Sequence, residues 1–196
     1  AGGVSISAPI GNKGLTAGIS YMESMTRPGG DVSDLGLEAN MKSATTTLSY
    51  PLVYQRNLAI FTRASISWTD EVQQTNAGGV DEDLSHDRIT AARIGTSFNG
   101  CGAGCLGIDA EISKGLELGS RSHSQVGNGT PLSRSTATSN FTHFRLNTNY
   151  TVSPFKNYIF QLNAGGQYTL NNLLNSEQTS ITGEGKLSGF TSGSIS

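Results

Sequence analysis

Charge is scarce in this chain. Asp, Glu, Lys and Arg supply 14% of its 196 residues and balance to a net −2, where an ordinary domain carries about a quarter. With no excess of Lys and Arg and no basic stripe, nothing gathers the phosphates of nucleic acid, and nucleic acid is not expected as a partner. No apolar run reaches the ~18 residues that a membrane-spanning helix needs, which excludes a helical anchor. The opening "AGGVSISAPIG" lacks the charged and apolar regions of a signal peptide. Cysteine is nearly absent: Cys101 and Cys105, in "NGCGAGCLG", stand alone with no His near them in sequence. Zinc, which usually takes four Cys or His ligands, is thereby disfavoured. The two intervening glycines let the pair close into a disulfide, which suits an oxidising compartment; two separate thiols are equally compatible with the spacing.

What replaces charge is small neutral polarity, and it is ordered. Polar and apolar residues alternate with period two from one end to the other, the mark of strands with one apolar face. One face carries Phe144, Leu146, Thr148, Tyr150 and Val152, the other His143, Arg145, Asn147, Asn149 and Thr151. The same reading gives strands over 4–10, 15–21, 44–52, 58–68, 92–98, 106–112, 144–152 and 158–170, eight in all. Many reach the roughly 9–11 residues of a membrane-spanning strand, beyond the globular mode of about 5–6. Pro154 is placed in the "SPFKN" turn between the last two strands.

Connections alternate in length. Short ones at 11–14, 53–57, 99–104 and 153–157 oppose long ones at 28–41, 75–86, 118–138 and from 171 onward. Outer-membrane barrels have this asymmetry, with short periplasmic turns and long extracellular loops. The long connections, such as "TNAGGVDEDLSHDR", are polar, with almost no anchor for a core, and read as mobile surface loops. The non-apolar face includes Arg63, Arg93, Asp109, Glu111, His143 and Arg145, as a water-filled lumen requires. A small barrel would fill that interior with bulk, so the strands read as part of a wider barrel. The three arginines either line a conduction path, hold an inserted loop, or pair with Asp109 and Glu111.

Catalysis finds no support. His86 adjoins Asp87, but neighbours on an extended chain point opposite ways and cannot form a base and its orienter. Loop polarity accounts for His86 and His123, lumen lining for His143. "GEGKLS" fails as a phosphate cradle because Ser188 stands at the third glycine position and no helix is expected after it. No cofactor is expected. Tyr21, Tyr50, Trp68, Tyr150, Tyr158 and Tyr168 lie on the apolar faces, as in the aromatic girdle of a barrel, although ordinary sheet packing also places them there.

"LLNSEQTSITGEGKLSGF" (173–190) resembles a motif of the two-partner-secretion transporters, the hemolysin secretion and activation family, reading L-x-S-S-E-Q-F-x-x-G-G-x-x-x-V-R-G-F/Y. Leu173, Ser176, Glu177, Gln178, Gly183, Gly189 and Phe190 match, with Gly185 and Lys186 inside the motif. Upstream, the Gly-Gly-Asp loop, the strand ending in Tyr-Pro-Leu and "LSHDRITAARIG" are also similar to family stretches. The resemblance implies an all-β, antiparallel up-and-down transmembrane β-barrel segment, eight strands of a barrel of about 16, with an in-lumen loop at the C-terminal end. Residues 1–170 would be membrane strands and 171–196 an extracellular loop folded back into the lumen; periplasmic transport-associated domains would lie elsewhere. Three positions depart from the motif: Thr179 replaces Phe, Thr182 the first Gly, and Ser188 the Arg that in the family reaches from the loop tip to an acidic residue of the wall. Lys186 is an alternative donor for that lock.

The expected function is therefore export of an unfolded partner, of adhesin or cytolysin type, across the outer membrane of a Gram-negative bacterium, without enzymatic chemistry and in contact with outer-membrane lipid. The alternatives are a small-solute porin and a soluble all-β surface adhesin module. Restoring the motif arginine by Ser188→Arg is expected to change channel gating or protease access in the full-length barrel. Unchanged conductance traces and digestion patterns would leave the arginine lock without support.

Overall fold

In the computed structural model, described for residues 1–27, 36–76, 82–121 and 129–178, the chain forms one antiparallel sheet whose eight strands lie in sequence order. They are β1 (Gly2–Ile10), β2 (Leu15–Thr26), β3 (Leu37–Gln55), β4 (Leu58–Thr75), β5 (Glu82–Cys101), β6 (Gly104–Leu116), β7 (Thr142–Phe155) and β8 (Tyr158–Thr169). The up-and-down order is the one expected from alternation and turn spacing. Short connections can join antiparallel neighbours directly, so no crossover is needed. The β1–β2 turn uses Gly11 and Gly14 at φ 70° and 82°, a region where a Cβ is costly.

Register converts alternation into two continuous faces. On one, Ile94 faces Ile112, Ile112 faces Phe144 and Phe144 faces Tyr168. On the other, Arg63 faces Gly95, Gly95 faces Glu111, Glu111 faces Arg145 and Arg145 faces Gln167. The apolar face is uncovered: Ile6, Ile19, Ile94 and Leu162 are 73%, 66%, 61% and 65% exposed. No second sheet packs on it among the described residues. A soluble sandwich would bury that face.

Strands β3, β4 and β5 run 19, 18 and 20 residues, longer than expected. Residues 37–41 and 82–86, read as loop from the sequence, are strand. At 37–41 alternation continues, Leu37, Ala39 and Met41 against Glu38 and Asn40, but in the opposite phase to 44–52, and polar pairs join both extensions to their neighbours. Arg27 donates to Glu38 at 2.9 Å, Gln74 to Asp83 at 2.7 Å, and Asp70 joins His86 and Arg88, each at 2.7 Å. His86 is thus a strand residue with a hydrogen-bond partner in Asp70 rather than a loop histidine. The turns are shorter in compensation, with Arg56–Asn57 and Lys156–Asn157 at their centres. Pro154 lies in the irregularity of β7 between Val152 and Phe155, not at the turn, a place where a missing N–H is tolerated.

The connection between β6 and β7 corrects a second expectation. Of its described parts, 117–121 and 129–141, the second is not a coreless loop: Leu132, Ala137 and Phe141 are buried with Ile89 and Ala91 of β5 and with Leu173 and Leu174. Ser133 N–H donates to Asp87 at 2.9 Å and its hydroxyl to the same carboxylate. Arg121 donates to the carbonyls of His86 and Thr130 at 2.7 and 3.0 Å. These contacts fasten the segment to the polar face at the long-connection end. Phe141 reaches the strand because Gly115 has no side chain: its N–H donates to the Phe141 carbonyl at 2.9 Å, and a Cβ there would lie 2.6 Å from the Phe141 ring. Gly115→Val is expected to lift Ser139–Phe141 off the wall while leaving the strands paired. Limited proteolysis of the full-length protein should show faster cleavage within 129–141 with an unchanged heat-modifiable gel band; equal cleavage rates would contradict this packing.

Candidate functional site on the polar face

The register of β4 to β8 places the charged residues in adjoining rows. Arg63 donates to both oxygens of Asp109 at 2.6 and 2.9 Å and to Glu111 at 3.0 Å. Its reach across β5 depends on Gly95, where a Cβ would stand 2.9 Å from the Arg63 Cζ. This two-pronged contact is the geometry for which guanidinium suits a carboxylate better than ammonium does. Arg145 lies 3.9 Å from the other oxygen of Glu111, which also accepts from Ser113 at 3.4 Å. Arg145 Nε has no hydrogen-bond partner among the described residues.

One row nearer the long-connection end, Arg93 sits between Ser65 and Ser113. It donates to the Ser67 hydroxyl and, at 2.5 Å, to the carboxylate of Glu177. Glu177 ends a single 3-10 turn, Asn175–Glu177, and is 6% exposed. A carboxylate that far from water requires a compensating partner. Gln167 supplies a second hold: its amide nitrogen donates at 2.8 Å to the Glu177 carbonyl and lies 2.8 Å from His143 Nδ1. Since a carbonyl can only accept, the amide nitrogen is the donor to both, and His143 Nδ1 is an acceptor. The proton of a neutral His143 then sits on Nε2, 3.9 Å from the Glu177 carboxylate. His143 is fully buried, its ring tilted against Phe141 with centroids 5.4 Å apart.

Arg63, Arg93, Asp109, Glu111, His143 and Arg145, singled out on periodicity, all lie on one face, and Glu177, singled out as part of a motif, lies against them. Ser176 is exposed, and Gln178 donates to the Leu173 carbonyl at 3.3 Å. Gly183, Gly185, Lys186, Ser188, Gly189 and Phe190 lie outside the described residues, and so does His123. Cys101 and Cys105 form a disulfide across the β5–β6 turn. Ser67, Gln167 and Phe141 were missed by sequence reasoning. Each looks ordinary, and its role rests on partners distant in sequence, such as those 26, 10 and 26 positions away. Among the described residues no group of His, Cys, Asp and Glu is arranged to hold a metal.

An antiparallel sheet in sequence order, apolar and uncovered on one side and charged on the other, is the wall of a transmembrane β-barrel. The model for the haemolysin secretion/activation protein ShlB/FhaC/HecB matches residues 2–196. The chain belongs to this family, and its place is the outer membrane of a Gram-negative bacterium. Two solved structures are similar. CdiB from Acinetobacter baumannii shares 17% identity at a TM-score of 0.69, over 96% of this chain and 32% of that one. CdiB from Escherichia coli shares 16% at a TM-score of 0.64, over 90% of this chain and 31% of that one. This chain thus spans about a third of either structure. No curated protein sequence matches it.

Truncating Arg63 would strip two carboxylates of their shared donor, and charge-assisted hydrogen bonds are worth about 1.5–3 kcal/mol each before water access reduces them. Arg63→Met is expected to lower the thermal unfolding midpoint of the full-length barrel in detergent. Adding Asp109→Asn and Glu111→Gln should recover part of the loss, because the orphaned charges are then gone. An unshifted midpoint in the single variant would show that the network contributes nothing to stability.

Proposed function

We propose that this chain is part of the membrane barrel of a two-partner (type V) secretion transporter, which carries an unfolded exoprotein of adhesin or cytolysin type across the outer membrane. In this reading the polar face lines the path, the apolar face lies against outer-membrane lipid, and the short turns face the periplasm. Residues 171–196 form an extracellular loop turned into the lumen of a barrel of about 16 strands. Family membership supports the reading. The observation that carries it is the position of Glu177, a motif residue seated on the charged face rather than out in solvent.

The wall's chemistry suits an unfolded client. Three guanidinium groups, Arg63, Arg93 and Arg145, meet three carboxylates, Asp109, Glu111 and Glu177. Neither sign dominates enough to trap a passing chain of mixed charge. Neighbouring wall positions such as Ser65, Asn147 and Thr169 hydrogen-bond water well and offer no apolar surface for a client to stick to. Conduction of this kind is passive, with folding of the client outside supplying direction, and no residue needs to make or break a bond.

The test is secretion. Co-expressed with an exoprotein that carries an N-terminal secretion domain and is encoded beside it, the full-length protein should release that partner into the medium, and its deletion should abolish release. Conductance in planar bilayers with no release of such a partner would favour a small-solute porin and overturn the transport reading.

A further inference from the structure

The motif position that the family resemblance makes the lock carries serine in this chain, at Ser188. A charged contact between motif and wall is nevertheless present, earlier in the same stretch. We propose that the Arg93–Glu177 pair is this chain's own latch. It seats residues 171–178 on the polar face and, through Leu173 and Leu174, holds the 129–141 connection beside them. The proposal rests on reading that face as the transport path.

The sheet does not need the pair. Arg93 is positioned by strand pairing, opposite Ser65 and Ser113, and the ladder on both sides of β5 is complete without Glu177. The segment, by contrast, makes through it a charged contact with the wall. After β8 its links include the Leu173–Leu174 contacts, the Thr142 and Thr169 bonds to Asn171, the Arg134 and Thr138 bonds to its backbone at 3.3 and 3.2 Å, the Asn175–Ser133 bond, the Gln167 bond, and the Glu177 carboxylate. Glu177 contributes the sole charge on residues 171–178. It is buried at the wall end of the segment, where Arg93 has 18% side-chain exposure.

Such a contact is suited to being made and broken. Seated, it is shielded from water and held by a charge-assisted hydrogen bond. Released, both ions rehydrate in the path, where a solvated pair is worth little, so neither state is left with a buried orphan charge. Release also alters the path's electrostatics. Arg93 keeps Ser67 but loses its counter-ion, so the opened wall gains a cation and its preference should move toward anions.

The experiment uses the full-length protein in planar bilayers under a KCl gradient. Glu177→Gln should raise the fraction of time spent in the high-conductance state about tenfold, the factor that ~1.4 kcal/mol represents, and shift the reversal potential toward chloride. Arg93→Gln should raise the same fraction without a shift toward chloride. The exchanged pair, Arg93→Glu with Glu177→Arg, should return the channel toward its quiet state. Wild-type conductance and selectivity in both single variants, each confirmed as assembled by its heat-modifiable band, would overturn the latch. So would an exchanged pair as open as the singles. A wild-type protein that secretes no partner while its Glu177→Gln variant opens as described would overturn the transport reading and leave the latch standing.

Discussion

Every strand in this sheet faces two environments of opposite character, and its backbone must be satisfied between them. Where an uncovered apolar surface lies against hydrocarbon, no water reaches the N–H and C=O groups, so each must be paired strand to strand. The ladders from β1 to β8 meet that demand, with register shifts at Pro51/Val53, Gln73/Gln74 and Val152/Phe155. Once register is imposed, side chains have no freedom of side, since a slip of one residue would exchange the two faces. Ile94 and Gly95 are neighbours in sequence, yet one is 61% exposed on the apolar face and the other makes room for a guanidinium.

Within the polar face, absent side chains shape the charge pattern as much as present ones do. Gly95 leaves a recess through which Arg63 crosses β5 to Asp109 and Glu111 on β6. Gly115 leaves another, filled by Phe141. The first lets a long cation reach past its nearest neighbour, and the second brings a connecting segment close enough to exclude water. The result is a wall with open, ion-paired ground near β4–β6 and a dry patch around Phe141, His143 and Leu174.

The fold was legible because period-two alternation and the two classes of connection length are both local properties. They identified eight strands, their faces and their order. Where reading failed, hydropathy had stopped reporting structure. At 37–41 the apolar residues Leu37, Ala39 and Met41 run in the opposite phase to the rest of β3, and at 82–86 Leu84 stands alone, while polar pairs such as Asp70–His86 join these ends to their neighbours. The 129–141 segment looked coreless because its few apolar residues, Leu132, Ala137 and Phe141, are buried by residues distant in sequence. The site was half legible. Arg93 and His143 followed from periodicity and Glu177 from a motif, but nothing local says that they meet, and Gln167, which touches both His143 and Glu177, has no signature in sequence.

Strands adjacent in this sheet are adjacent in the chain, so its contact order is low for an all-β protein and each hairpin can zip onto the one before. Against that background the Arg93–Glu177 contact is an outlier, joining residues 84 positions apart. It closes the longest loop among the side-chain bonds described above, and loop-closure entropy makes it costly to form early. The topology therefore separates two kinds of event in time: a sheet assembled from near neighbours, and a late, long-range docking step that can be reversed without unzipping anything.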